Sequence, residues 1–273
     1  MTQAIAGDAR LAAVTGVSLE AVERGQGAPL VFLHPGHPAG RIAADAPVLV
    51  QLAKSFHVIA PTHPGFGRAS APDGMTTIDD LAYFYLDLLD AMDLRDVVLV
   101  GSSLGGWIAA EMAVKSTARL SRLVLANPVG IKNGDREARD IVDIYSIFDK
   151  QIAELAYADA KLGIPDKSKL SEDDLFYMAR SREATARYAW APYMHDPKLK
   201  GRLHRIGVPT LVLWGEADRI VSQDYGRAYA AAIPGACFAP IRGAGHFPHL
   251  EKPEEFVRAV SSFVEGKNPE LVS

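Results

Sequence analysis

The chain has 273 residues, 48% of them hydrophobic, a length that admits one large α/β domain or two modest ones and a sizeable core. With 29 Lys and Arg against 33 Asp and Glu, the formal net charge is -4, so no basic field favours nucleic acid as a partner. One cysteine, Cys237, excludes an intrachain disulfide framework, the first ten residues lack the basic-then-apolar order of a signal peptide, and the apolar uncharged stretch 97–110 is too short at 14 residues to span a bilayer; a cytoplasmic chain without a membrane partner is expected.

In chain order, two apolar β-rich runs, 11–14 and 17–22, lead through a Gly25-Gln26-Gly27 turn into the run 30–33, which reads as an antiparallel lead-in to a buried strand. Short runs of Val, Ile and Leu recur at 56–60, 97–100, 120–126, 210–214 and 237–241. Such unalternated runs suit strands buried on both faces of a parallel sheet. Helix-length segments 45–54, 78–92, 105–115, 224–232 and 253–264 separate or follow them. This alternation predicts an α/β domain, a mostly parallel sheet flanked by helices with right-handed crossovers.

From about 128 to 207 the alternation stops, and a charged, Tyr-rich stretch of helical periodicity takes its place. It contains Ser171-Glu172-Asp173-Asp174, a capping-box-like helix start. The expected organisation is a core of residues 1–127 and 208–273 carrying a helical insertion, 128–207, with 266–273 as a loose tail.

Gly101-Ser102-Ser103-Leu104-Gly105 has the pattern G-x-S-x-G after one predicted strand and before one predicted helix. At a tight strand-to-helix turn the flanking glycines keep Cβ atoms away from neighbouring backbone, and the turn lifts the serine Oγ above the sheet. Ser103 is the candidate nucleophile; Ser102 lacks the flanking glycines. A serine hydroxyl needs a base within hydrogen-bond reach and a third group to fix the base's tautomer. His246, in a loop after the last predicted strand, is the candidate base, with His249 its nearest rival. Asp218, just past the strand 210–214, is the preferred orienting acid; Glu216 is the alternative, and an exposed aspartate paired with Arg219 is the structural reading of the same residue. All three candidates would lie at the carboxyl edge of the sheet, in the order Ser, Asp, His.

On Leu33-His34-Pro35-Gly36-His37-Pro38, Pro64-Gly65-Phe66-Gly67, Gly101 to Gly106, Gly215-Glu216-Ala217-Asp218 and Gly245-His246-Phe247-Pro248-His249-Leu250-Glu251-Lys252-Pro253, the sequence resembles the α/β-hydrolase family over nearly its whole length. The resemblance implies the α/β-hydrolase fold with a helical cap, acyl transfer to water through Ser103, His246 and Asp218, a small-molecule substrate, and no cofactor or metal. It also implies an oxyanion hole built from the Leu104 N–H and one donor of the loop after the third strand, either Gly36 or His37, with His37 preferred because an extra proline, Pro35, shifts the register. Phe247 beside His246 is expected at the substrate. His63 stands where many relatives have an acid.

Carboxylic-ester hydrolysis is the expected reaction. Its rivals are carbon–carbon bond hydrolysis of aromatic ring-cleavage products and a small-molecule receptor that keeps the triad. His57 reads as a core or edge histidine of a strand, His195 and His204 lie nine apart without a Cys or acid at metal-ligand spacing, and Cys237 reads as a small core residue. Oligomeric state is not legible in the residues.

Overall fold

The computed structural model describes residues 3–4, 15–17, 19–36, 43–135, 137–164 and 167–267. The predicted run 11–14, the loop residue His37 and the tail beyond 267 lie outside the described residues.

Among the described residues eight strands form one sheet: β1 Gln3–Ala4, β2 Glu20–Arg24, β3 Ala28–Leu33, β4 Phe56–Pro61, β5 Val97–Ser102, β6 Leu120–Ala126, β7 Thr210–Gly215 and β8 Cys237–Ile241. Their spatial order is β1-β2-β4-β3-β5-β6-β7-β8. β2 pairs antiparallel with β1 and β4, and every pairing from β4 to β8 is parallel. The absence of apolar–polar alternation in β5 has a direct cause. Val97 and Leu99 enter the core on one face, Val98 and Val100 the core on the other, so every position needs an apolar side chain.

The first core is covered by α2 (Ile78–Ala91), α3 (Leu104–Lys115) and α7 (Gln223–Ala231), the second by α1 (Pro47–Leu52) and α8 (Pro253–Val264). The first of these helices starts at Pro47 rather than at 45, because a proline suits the first turn, where its missing N–H has no partner to lose. Thr77 and Asp80 exchange the reciprocal bonds of a capping box at the start of α2.

The lead-in is antiparallel and feeds a buried strand, as expected. The Gly25–Gly27 turn does not join neighbouring strands: β2 lies against β4, with Val22 opposite Ala60, while β3 sits between β4 and β5. The buried Leu30 to Leu33 belong at the sheet centre, and the charged Glu20, Glu23 and Arg24 belong near its edge. β2 begins at Glu20, although Val17 and Leu19 are already buried.

Between β6 and β7 the described residues form α4 (Asp149–Ala156), α5 (Glu172–Ala189), the short α6 (Leu199–Arg202) and three 3-10 turns, with two isolated bridges and no strand. The serine at 171 caps α5 as its sequence suggests: Asp174 N donates to Ser171 Oγ at 3.1 Å, and Ser171 N to the Asp174 carboxylate at 3.1 Å. Among the described residues no helix is long and apolar enough to cross a membrane.

Candidate active site

β5 ends at Ser102, α3 begins at Leu104, and Ser103 alone makes the turn, with φ 52° and ψ -112°. This is left-handed backbone that a residue with a Cβ adopts at a cost of roughly 1–3 kcal/mol, so the surroundings must hold it. They do: Ser103 N donates to Ala126 O at 2.9 Å, and its carbonyl accepts from Trp107 N at 3.0 Å. The flanking glycines are required by close approach. A Cβ on Gly101 would collide with the Gly105 carbonyl, and one on Gly105 with the Leu33 carbonyl.

Ser103 Oγ lies 2.8 Å from His246 Nε2, and His246 Nδ1 lies 2.7 Å from Asp218 Oδ2. A carboxylate only accepts, so the imidazole proton sits on Nδ1 and Nε2 is left to accept from the serine. The Asp218 side chain is fully shielded from solvent. Its second oxygen accepts from Ile220 N at 2.9 Å and Val221 N at 3.1 Å. Asn127, immediately after β6, donates from Nδ2 to Asp218 Oδ2 at 2.7 Å and accepts on Oδ1 from Gly215 N at 3.1 Å. Sequence reasoning passed over Asn127; the signal was a polar residue closing the apolar run 123–126 at a strand's carboxyl end.

The rivals are placed elsewhere. Ser102 Oγ and His249 Nδ1 are 3.3 Å apart, both buried beneath the elbow, and neither lines the chamber that Ser103 faces. Burial, together with the neighbouring His246 and His34, pushes His249 down to about 3. Glu216 is exposed, and the Arg219 guanidinium donates to the Glu154 carbonyl rather than to Asp218.

The chamber above Ser103 is lined by Gly36, Leu104 and Phe247, which the sequence singled out, and by apolar side chains from 129–194 that include Ile141, Ile144, Ile152 and Met178. Among the described lining residues none is Lys or Arg, and Asp149 is the one carboxylate. Arg182 lies 3.6 Å from Asp149, donates to the Ile144 carbonyl and stacks on Tyr145, outside that lining. The segment after β6 also touches the catalytic-side loops: His246 N donates to Ala156 O at 2.6 Å, and Glu251 accepts from Gly245 N at 2.7 Å and Ala158 N at 2.8 Å.

His63 has a structural reason. His34 Nδ1 donates to the Pro35 carbonyl at 2.7 Å, which leaves Nε2 to accept from His63 N at 2.9 Å. His63 Nε2 donates to the His34 carbonyl at 2.8 Å, and its Nδ1 accepts from Tyr85 OH at 2.6 Å. A carboxylate could not supply that Nε2 donor. Burial holds His34 down to about 4 and His63 well below the ordinary histidine value, so both rings, 3.7 Å apart, are neutral at pH 7.

The model of the alpha/beta hydrolase family matches residues 30–259. The chain is 29% identical over 258 residues to the dihydrolipoyllysine-residue acetyltransferase component of the acetoin cleaving system of Cupriavidus necator, covering 90% of this chain and 66% of that protein. It is 26% identical over 284 residues to the 2-hydroxy-6-oxo-2,4-heptadienoate hydrolase of Pseudomonas putida, covering 98% of this chain and 100% of the relative. A thermophilic esterase from Thermogutta terrifontis shares its fold, with a TM-score of 0.72 and 24% identity over 92% of this chain and 94% of that one.

Proposed function

The chain belongs to the α/β hydrolase family, and we propose that within it this is a serine hydrolase of neutral carboxylic esters of small to medium size. The reading is carried by the continuous bonding from Ser103 through His246 to Asp218 beneath a chamber whose described lining holds no cationic side chain.

In the proposed cycle Ser103 Oγ attacks the ester carbonyl carbon while His246 Nε2 takes its proton. Asp218 steadies the imidazolium. Main-chain N–H groups of Leu104 and of Gly36 or His37 donate to the oxyanion, an interaction of several kcal/mol. The alcohol departs with the proton from His246, and water, deprotonated by the same nitrogen, releases the acid and restores Ser103. The cycle uses no cofactor or metal. Segment 128–207 acts as a cap, its side chains setting which acyl groups fit.

Carbon–carbon bond hydrolysis is the second reading, favoured by the likeness to the heptadienoate hydrolase. A dienoate brings a carboxylate, which in this apolar lining beside Asp149 would be desolvated without a counter-charge at a cost of several kcal/mol. One preparation assayed on p-nitrophenyl butyrate, a lactone and a vinylogous diketone acid decides between them. The ester is expected to lead in kcat/KM by about a hundredfold or more, a gap of roughly 3 kcal/mol. A lead for the diketone acid would reverse the assignment. Absence of turnover on all three, with no fluorophosphonate adduct at Ser103, would favour a receptor.

A further inference from the structure

The buried face of α5 reads Tyr177, Ser181, Ala184, Thr185 and Tyr188, one stripe at helical spacing. It lands on the loops leaving β3 and β4. Tyr188 OH donates to the Pro64 carbonyl at 2.9 Å, with its ring parallel to Phe66 at 6.3 Å. Thr185, 2% exposed, places Oγ1 3.0 Å from the Gly36 carbonyl and 2.7 Å from the Ser181 carbonyl, so its one hydroxyl proton is shared between the loop and its own helix. A Cβ built on Gly36 would lie 2.7 Å from Thr185 Oγ1 and 3.2 Å from Leu104 Cδ2, so the Gly36 backbone is wedged between α5 and the residue after the nucleophile.

The same loop is braced from behind. His63 bonds to His34 twice, once through its main-chain N–H and once through Nε2, which leaves the chamber side to Thr185. Among the described residues no other side chain donates to the Gly36 carbonyl. From this we infer that Thr185 is a positioning residue: by holding the Gly36 carbonyl it fixes the Gly36 backbone, whose N–H is a donor to the oxyanion. The inserted helix thereby sets rate as well as fit. The inference rests on the serine-hydrolase reading above.

Thr185→Val keeps the shape and removes the donor, and Thr185→Ser keeps the donor. Two rates are measured for the wild type and both variants, the hydrolysis of p-nitrophenyl butyrate and the phosphonylation of Ser103 by a fluorophosphonate. In the second, the Oγ–P bond forms, fluoride leaves and His246 takes the proton. In the Val variant kcat and the phosphonylation rate should both fall about ten- to a hundredfold with KM within about twofold, since misplacement of order 1 Å can cost ~10²-fold. The Ser variant should recover to within about threefold of wild type. A Val variant that matches wild type in both rates, or a Ser variant as slow as the Val variant, overturns the inference and leaves the hydrolase reading standing. A wild type that neither turns over ester nor labels overturns both. Thermal midpoints measured alongside identify a purely structural role, in which stability falls and kcat per folded molecule does not.

Discussion

Among the described residues Asp218 receives four hydrogen bonds, one of them from His246; Ile220 N, Val221 N and Asn127 Nδ2 hold the carboxylate in place independently of it. Orientation of the acid is thus built into the loop and the neighbouring strand. Ser103→Ala should abolish nearly all ester turnover, and Asp218→Asn should lose on the order of 10⁴ in kcat through the wrong imidazole tautomer. An Asn variant with full activity would show that another acid orients the base. Asn127 has φ 43°, so Asn127→Gly removes the side chain without backbone strain. Loss of one charge-assisted bond, about 1.5–3 kcal/mol, should lower kcat by roughly 10- to 100-fold. Steady-state kinetics on the purified variant test this. Ser103, Asp218 and His246 were legible because each sits in a short local pattern. Asn127 was not, since its function exists only when β6 and β7 run side by side and bring Ala126 opposite Leu213.

The β5–α3 turn shows how packing can leave a helix with no polar face. From Leu104 to Val114 every residue is buried, the helix being enclosed by the sheet, α2 and the segment after β6. Gly101→Ala cannot be absorbed by a side-chain adjustment, because the obstacle is the Gly105 main chain. It should cost more than about 3 kcal/mol and appear as loss of folded protein in denaturant titration. Ser171→Ala, at the capping box of α5, is the mild counterpart at about 1 kcal/mol. A thermal midpoint unchanged by Ser171→Ala would mean that tertiary contacts alone hold that end of the helix. Helix and strand positions were largely legible from periodicity. The place of β2 was not, since the turn residues specify a reversal of the chain and not which strand it then joins.

Burial of His34, His63 and His249 makes the fold sensitive to acid. Burial holds His34 at about 4, His249 at about 3 and His63 well below the ordinary value, so from about pH 6.5 downward the unfolded chain binds protons that the native chain refuses. Each such histidine lowers stability by about 1.4 kcal/mol per pH unit between the unfolded value near 6.5 and its own native value. The loss is absent above that window and complete below it. Thermal midpoints should therefore fall steeply below about pH 6. His249→Leu, in a site walled by Phe32, Phe247 and Phe256, should flatten the decline by about a third. An unchanged slope in that variant would mean that His249 is protonated in the native state.

By itself the sequence determined the α/β class, the carboxyl edge of the sheet as the candidate site, and the serine, acid and histidine that gather there. Those follow from strand periodicity and from turn chemistry, both local in the chain. Only the tertiary structure decided that Ser102 and His249 partner each other below the elbow, that Asn127 steadies the acid, and that α5 presses Thr185 onto Gly36. These contacts join residues 147, 91 and 149 positions apart. Such pairs depend on how strands and helices are ordered in space, and a one-dimensional pattern carries no record of that order.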